Sequence, residues 1–127
     1  MTAGARLLVL GSLLIACSSG GGHWQHYRIS AFNEARSRGM GVVLHFHDQN
    51  SPVCQKQKDL LEKLVKNPAF KKVGAYRVPW GSEKALEQFT RTTQPCTLIV
   101  YKGESEKTRV SGSVDERILK PALDLAL

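Results

Sequence analysis

The chain has 127 residues, 42% of them hydrophobic and 23% charged, which allows one domain with a real hydrophobic core and excludes a multidomain protein. Lys and Arg outnumber Asp and Glu 18 to 11, for a formal net charge of +7. Such an excess is most often a solvated surface, whereas nucleic-acid binding needs a basic face with base-stacking aromatics in a compartment that holds nucleic acid.

The first residues, MTAGARLLVLGSLLIAC, contain one Arg and an apolar run from Leu7 to Ala16, far short of the roughly 20 residues that span a bilayer. This is the layout of a secretory signal. Leu14-Ile15-Ala16-Cys17 resembles a bacterial lipoprotein box, in which Cys17 is lipidated and becomes the first mature residue. A plain signal peptide is the alternative. Residues 1–16 are thus expected to be the signal, 17–23 a lipidated Cys17 with a Ser/Gly tether, and 24–127 the folded domain. Removing 16 residues, Arg6 among them, from 127 leaves 111 residues and a formal charge of +6. Export argues against nucleic acid as a partner. Attraction of the lysines to anionic headgroups beside the anchor is a modest functional reading.

His23 to Ile29 is aromatic and is expected to be irregular, a packing anchor rather than a ligand site. Ser30 can cap a short helix from Ala31 to Arg38 that turns Phe32 and Ala35 inward and stops at Gly39. A strand follows from Gly41 to His47, with Val42, Leu44 and Phe46 on one face and Val43, His45 and His47 on the other. A short polar loop then leads to Ser51, a good N-cap, and Pro52, suited to the first helical position. The helix from Pro52 to Lys66 carries Leu61, Leu64 and Val65 on one side, has Asp59/Lys63 and Glu62/Lys66 at i,i+4 spacing, and is closed by Asn67-Pro68. Cys54 falls in its first turn. Unpaired N–H groups and the positive end of the helix dipole favour a thiolate there.

Gly74 to Val78 is expected to be a strand, and Pro79-Trp80-Gly81 a turn. Ser82 caps a helix through Thr90 with Leu86 and Phe89 inward. Thr97 to Tyr101 and Lys107 to Ser111 form an antiparallel pair across a turn at Lys102 to Ser105. Ser113 to Glu116 is a capping box for a last helix with Ile118, Leu119, Ala122, Leu123 and Ala126 on one stripe, which Pro121 should kink or shorten. By pattern alone this is a compact α/β domain.

The run Phe46-His47-Asp48-Gln49-Asn50-Ser51-Pro52-Val53-Cys54 resembles the active-site region of thioredoxin-like proteins, in which a strand ends in an aromatic residue before a C-x-x-C motif opens a helix. Ser51 takes the place of the family's first, attacking cysteine, and Cys54 that of its second, resolving one. Pro95-Cys96-Thr97-Leu98-Ile99-Val100-Tyr101-Lys102-Gly103 is similar to the family's cis-proline segment, with Cys96 rather than Pro95 at the cis-proline position. The resemblance covers Trp24 to Leu127. It implies an α/β fold with a thioredoxin-like central mixed sheet flanked by helices, and it brings the start of the active-site helix against the Cys96 loop. His45 aligns with a buried acidic residue that assists proton transfer to the resolving cysteine, and would point toward Cys54.

With Cys17 assigned to lipid, Cys54 and Cys96 are an even pair in a compartment where disulfides persist, or else two buried, unreactive thiols. His45 reads equally as a partner of Cys54 or as a hydrogen-bonded core histidine. Three functions remain open. One is a lipid-anchored thiol–disulfide or redox-sensing protein of the bacterial cell envelope, facing the periplasm or the cell exterior, using Cys54, Cys96, His45 and Ser51 on thiol- or disulfide-bearing envelope proteins. The second is a redox-inert binding module whose groove at Pro95 and Thr97 holds an extended client. The third is a Zn or Cu carrier using Cys54, Cys96 and His45, with His47 nearby. No organic cofactor is implied. Ser51 cannot attack as a thiolate does, because its hydroxyl is hardly ionised at neutral pH and no disulfide forms through oxygen.

Overall fold

The computed structural model of the chain describes residues 20–127. The signal, Leu14-Ile15-Ala16-Cys17 and Ser18-Ser19 lie outside the described residues. In chain order the elements are β1 (Trp24–His26), α1 (Ile29–Ser37), β2 (Gly41–His47), α2 (Pro52–Val65), a 3-10 turn (Pro68–Phe70), β3 (Gly74–Pro79), α3 (Lys84–Thr90), β4 (Thr97–Lys102), β5 (Ser105–Ser111) and α4 (Glu116–Asp124). The strands form one mixed sheet in the order β1-β3-β2-β4-β5. β1 and β2 run parallel to β3, and β4 runs antiparallel to both β2 and β5. This is the expected thioredoxin-like sheet flanked by helices.

The alternation along β2 divides the core. Val42, Leu44 and Phe46 join Phe32, Ala35, Tyr76, Val78, Leu86, Ile99 and Tyr101 under α1 and α3. Val43 faces the opposite layer, where Leu61, Val65, Leu98, Val100, Leu119 and Leu123 pack beneath α2 and α4.

Several local expectations give way to tertiary packing. The Trp24 segment is a strand, because its backbone registers on Ala75, Tyr76 and Arg77, residues about fifty positions away that no local pattern can announce. α1 begins at Ile29 behind Arg28, not behind a Ser30 cap, since burial of Phe32 and Ala35 fixes its phase. α3 begins behind Glu83, and Phe89 is 61% exposed, lying against the Arg36 guanidinium at 5.3 Å instead of entering the core. Ile118 is 49% exposed, so the buried stripe of α4 narrows to Leu119, Ala122 and Leu123, with Ala126 just beyond the helix. α4 continues through Pro121, which sits on its exposed side, where the Arg117 carbonyl left without a donor can meet water. The expected Asp59/Lys63 and Glu62/Lys66 pairs do not form: Asp59 accepts from Gln55 at 3.3 Å, Glu62 meets Arg77 at 3.0 Å and Lys58 at 3.9 Å, and Lys63 meets Glu116 at 3.4 Å.

Candidate functional site

Cys54 and Cys96 are joined in a disulfide with their Cα atoms 4.7 Å apart. Two local features bring them together. The first is the start of α2: the Ser51 hydroxyl accepts from the Cys54 N–H at 3.2 Å, and Pro52 occupies the first helical position, so Cys54 is fixed in the first turn. The second is the backbone at Cys96, which takes φ +59°, the left-handed region that a side chain adopts only when its surroundings hold it there. The Cys96 N–H donates to the Phe46 carbonyl and the Cys96 carbonyl accepts from the Gly112 N–H, both at 2.8 Å. The described residues contain no cis peptide bond, so Cys96 reaches the site by its positive φ and not by the cis geometry of the segment it resembles.

The two sulfurs differ in access and surroundings. Cys54 is fully buried, and its sulfur accepts from the Asp48 N–H at 3.3 Å. Cys96 is 6% exposed and lies 3.4 Å from the Ser51 hydroxyl. Ser51 therefore stands at the mouth, both capping the helix and touching the more exposed sulfur.

Behind the disulfide lies a buried polar chain. Gln57 donates its amide to the Ser113 carbonyl at 2.9 Å and turns its oxygen to His45 Nε2 at 2.7 Å. Arg77 Nε approaches His45 Nδ1 at 3.5 Å, and Arg77 Nη1 donates to Glu62. This pattern selects the neutral imidazole with its proton on Nε2, because Nδ1 faces a donor and Nε2 faces an acceptor. Burial, the largest cause, pushes the His45 pKa down to about 3, with the Arg77 charge adding to it against the Gln57 hydrogen bond. The histidine is a satisfied core group. Its hydrogen bonds go to Gln57, on the buried stripe of α2 that also carries Cys54, and to Arg77, and none goes to Cys54. His47 is half-buried rather than freely solvated, and burial followed by the Arg77 and Lys58 charges lowers its pKa.

Gln57 and Arg77 were not anticipated as site residues. One signal for Gln57 existed: positions 54, 57, 61 and 65 form the buried stripe of α2, and a glutamine on such a stripe needs buried partners. Arg77 gave no local signal.

The residues expected at a client groove make hydrogen bonds within the chain. Thr97 is buried, and its hydroxyl donates to the Gln94 carbonyl at 3.0 Å, while Pro95 is half-buried. The backbone groups of Cys96 are used as described above, and β4 is paired on both edges. For a metal, the oxidised pair offers no thiolate and His45 no free nitrogen. Among the described residues no group of three or more His, Cys, Asp or Glu side chains is placed to hold an ion.

A central mixed sheet flanked by helices, with a disulfide at the start of the helix after its middle strand, defines a thioredoxin-like fold. The solved structures agree with that fold. Trxlp from Edwardsiella tarda EIB202 is 29% identical, with a TM-score of 0.75 over 79% of this chain and 97% of that one. The thioredoxin of Malassezia sympodialis, 22% identical, gives 0.72 over 84% and 91%, and thioredoxin f of spinach chloroplasts, 20% identical, gives 0.70 over 86% and 97%. No protein-family model matches the sequence, and no curated protein matches it.

Proposed function

We propose that the chain is a thiol–disulfide exchange protein of the bacterial cell envelope, held to a membrane by lipid on Cys17 and working through the Cys54–Cys96 disulfide on thiol-bearing envelope proteins. The observation that carries this reading is the disulfide itself, set at the N-terminus of α2 with its two sulfurs in unequal surroundings.

The inequality supports an order of events. A client thiolate attacks Cys96, the sulfur with access; a client–Cys96 disulfide forms, the Cys54–Cys96 bond breaks, and its electron pair stays on Cys54 as thiolate. The Asp48 N–H and the positive end of α2 stabilise that leaving group, while burial opposes it. A second client thiolate then attacks the client sulfur of the mixed disulfide and expels Cys96. The client leaves oxidised and the protein retains two thiols. The reverse sequence reduces a client disulfide, the direction being set by the two potentials.

Single-cysteine variants test this assignment. Cys54→Ser leaves Cys96 free at the mouth and should react rapidly with an aromatic disulfide reagent, trapping a mixed disulfide. Cys96→Ser leaves only the buried Cys54 and should react at least tenfold more slowly. The opposite ranking, or no reaction of either variant in the folded state, would remove the exchange reading.

A further inference from the structure

The described chain begins at Gly20 at the end of the domain opposite the disulfide, and this end carries a cluster of positive charge. Gly21 and Gly22, expected as part of a free tether, are packed: the Gly22 N–H donates to the Val65 carbonyl at 2.9 Å at the C-terminus of α2. A Cβ on Gly21 would meet the Lys66 and Asn67 backbone, and one on Gly22 the Phe70 carbonyl, so only glycine passes here. Around this exit Lys66, Lys71 and Lys72 are exposed and have no ion pair among those of the described residues. A groove of about 690 Å³ beside it is lined by Lys63, Lys66, Lys120 and the exposed Leu127. Glu116 and Asp124 offset Lys63 and Lys120, which leaves three lysines unbalanced.

We propose that this face docks on anionic phospholipid headgroups, so that the protein stands on the membrane with its disulfide turned away. The inference rests on the lipid-anchor reading for its setting, and chain length ties the two together. Cys17 and Gly20 are three residues apart, a reach of at most about 11 Å at about 3.6 Å per residue. That is close to the Debye length of about 8 Å at physiological salt, so a lipid on Cys17 holds the lysines where the surface charge still acts. Cys54 lies eleven residues before Val65 in α2, about 16 Å farther along the helix axis at a rise of about 1.5 Å per residue. Docking at the lysine end leaves the Cys96 mouth open to soluble clients.

The test uses the mature chain from residue 17 with Cys17→Ser, which removes the lipid and leaves the charge, and vesicles of neutral phosphatidylcholine with or without phosphatidylglycerol. Binding should require the anionic lipid and fall as salt rises. Replacing Lys66, Lys71 and Lys72 together by Gln should weaken it on the order of 100-fold, about fivefold per lysine. Lys56→Gln with Lys84→Gln, a comparable charge loss elsewhere, should change it less than twofold. Equal binding to neutral vesicles, or an equal effect per lysine in the two variants, would overturn the proposal. The mass of the mature N-terminus of the wild-type protein decides the anchor separately, so either reading can fail alone.

Discussion

Reduction of the Cys54–Cys96 bond should lower the melting temperature substantially, and the size follows from the loop it closes. The two cysteines are 42 positions apart, and cross-linking such a loop restricts the unfolded chain by about 4 kcal/mol in the chain-entropy description. The Cα separation of 4.7 Å lies within the range of roughly 4.4–6.8 Å that a disulfide spans, so the folded backbone need not move to accept the bond. With an unfolding entropy of about 2 cal/mol/K per residue over the domain, 4 kcal/mol corresponds to about 15–20 °C. Circular-dichroism melts of oxidised protein and of protein in excess phosphine reductant measure the difference. Cys96→Ser should melt near the reduced wild type and show no response to reductant. A difference below about 3 °C, or a reductant response that survives in Cys96→Ser, would refute the assignment of this bond as the stabilising element.

The polar chain behind the disulfide yields two further expectations. The folded His45 pKa of about 3 lies below the unfolded value of 6.5, so the unfolded state binds the extra proton between these limits and stability falls as pH drops through that window. Replacing His45 by Gln should flatten the acid limb by up to one proton, about 1.4 kcal/mol per pH unit, in urea titrations between pH 4 and 6; an unchanged slope would contradict the buried neutral imidazole. Gln57→Leu strips a partner from both His45 and the Ser113 carbonyl and should cost about 2–4 kcal/mol, read from the urea midpoint, whereas a loss under 1 kcal/mol would mean that water or a rotated side chain satisfies both groups.

The local signals of the sequence determined most of the elements. Period-two alternation marked β2, the Ser51-Pro52 pair marked the start of α2, and the turn at Gly103 separated β4 from β5, each of which depends on residues a few positions apart. Cys54 could be placed in a first helical turn for the same reason, and Ser51 could be denied the role of attacking thiol from its chemistry alone. The pairing of Cys54 with Cys96 was legible only through resemblance to a known fold, because nothing local joins positions 42 apart. Tertiary structure alone decided the rest. β1 exists because β3 offers it an edge, Phe89 stays outside because Arg36 provides a cationic face, and Glu62 takes Arg77 of β3 as its nearer partner at 3.0 Å in place of the expected Lys66. The neutral state of His45 was decided in the same way, by the burial that removes water and by the two side chains, Gln57 and Arg77, that α2 and β3 bring to its nitrogens.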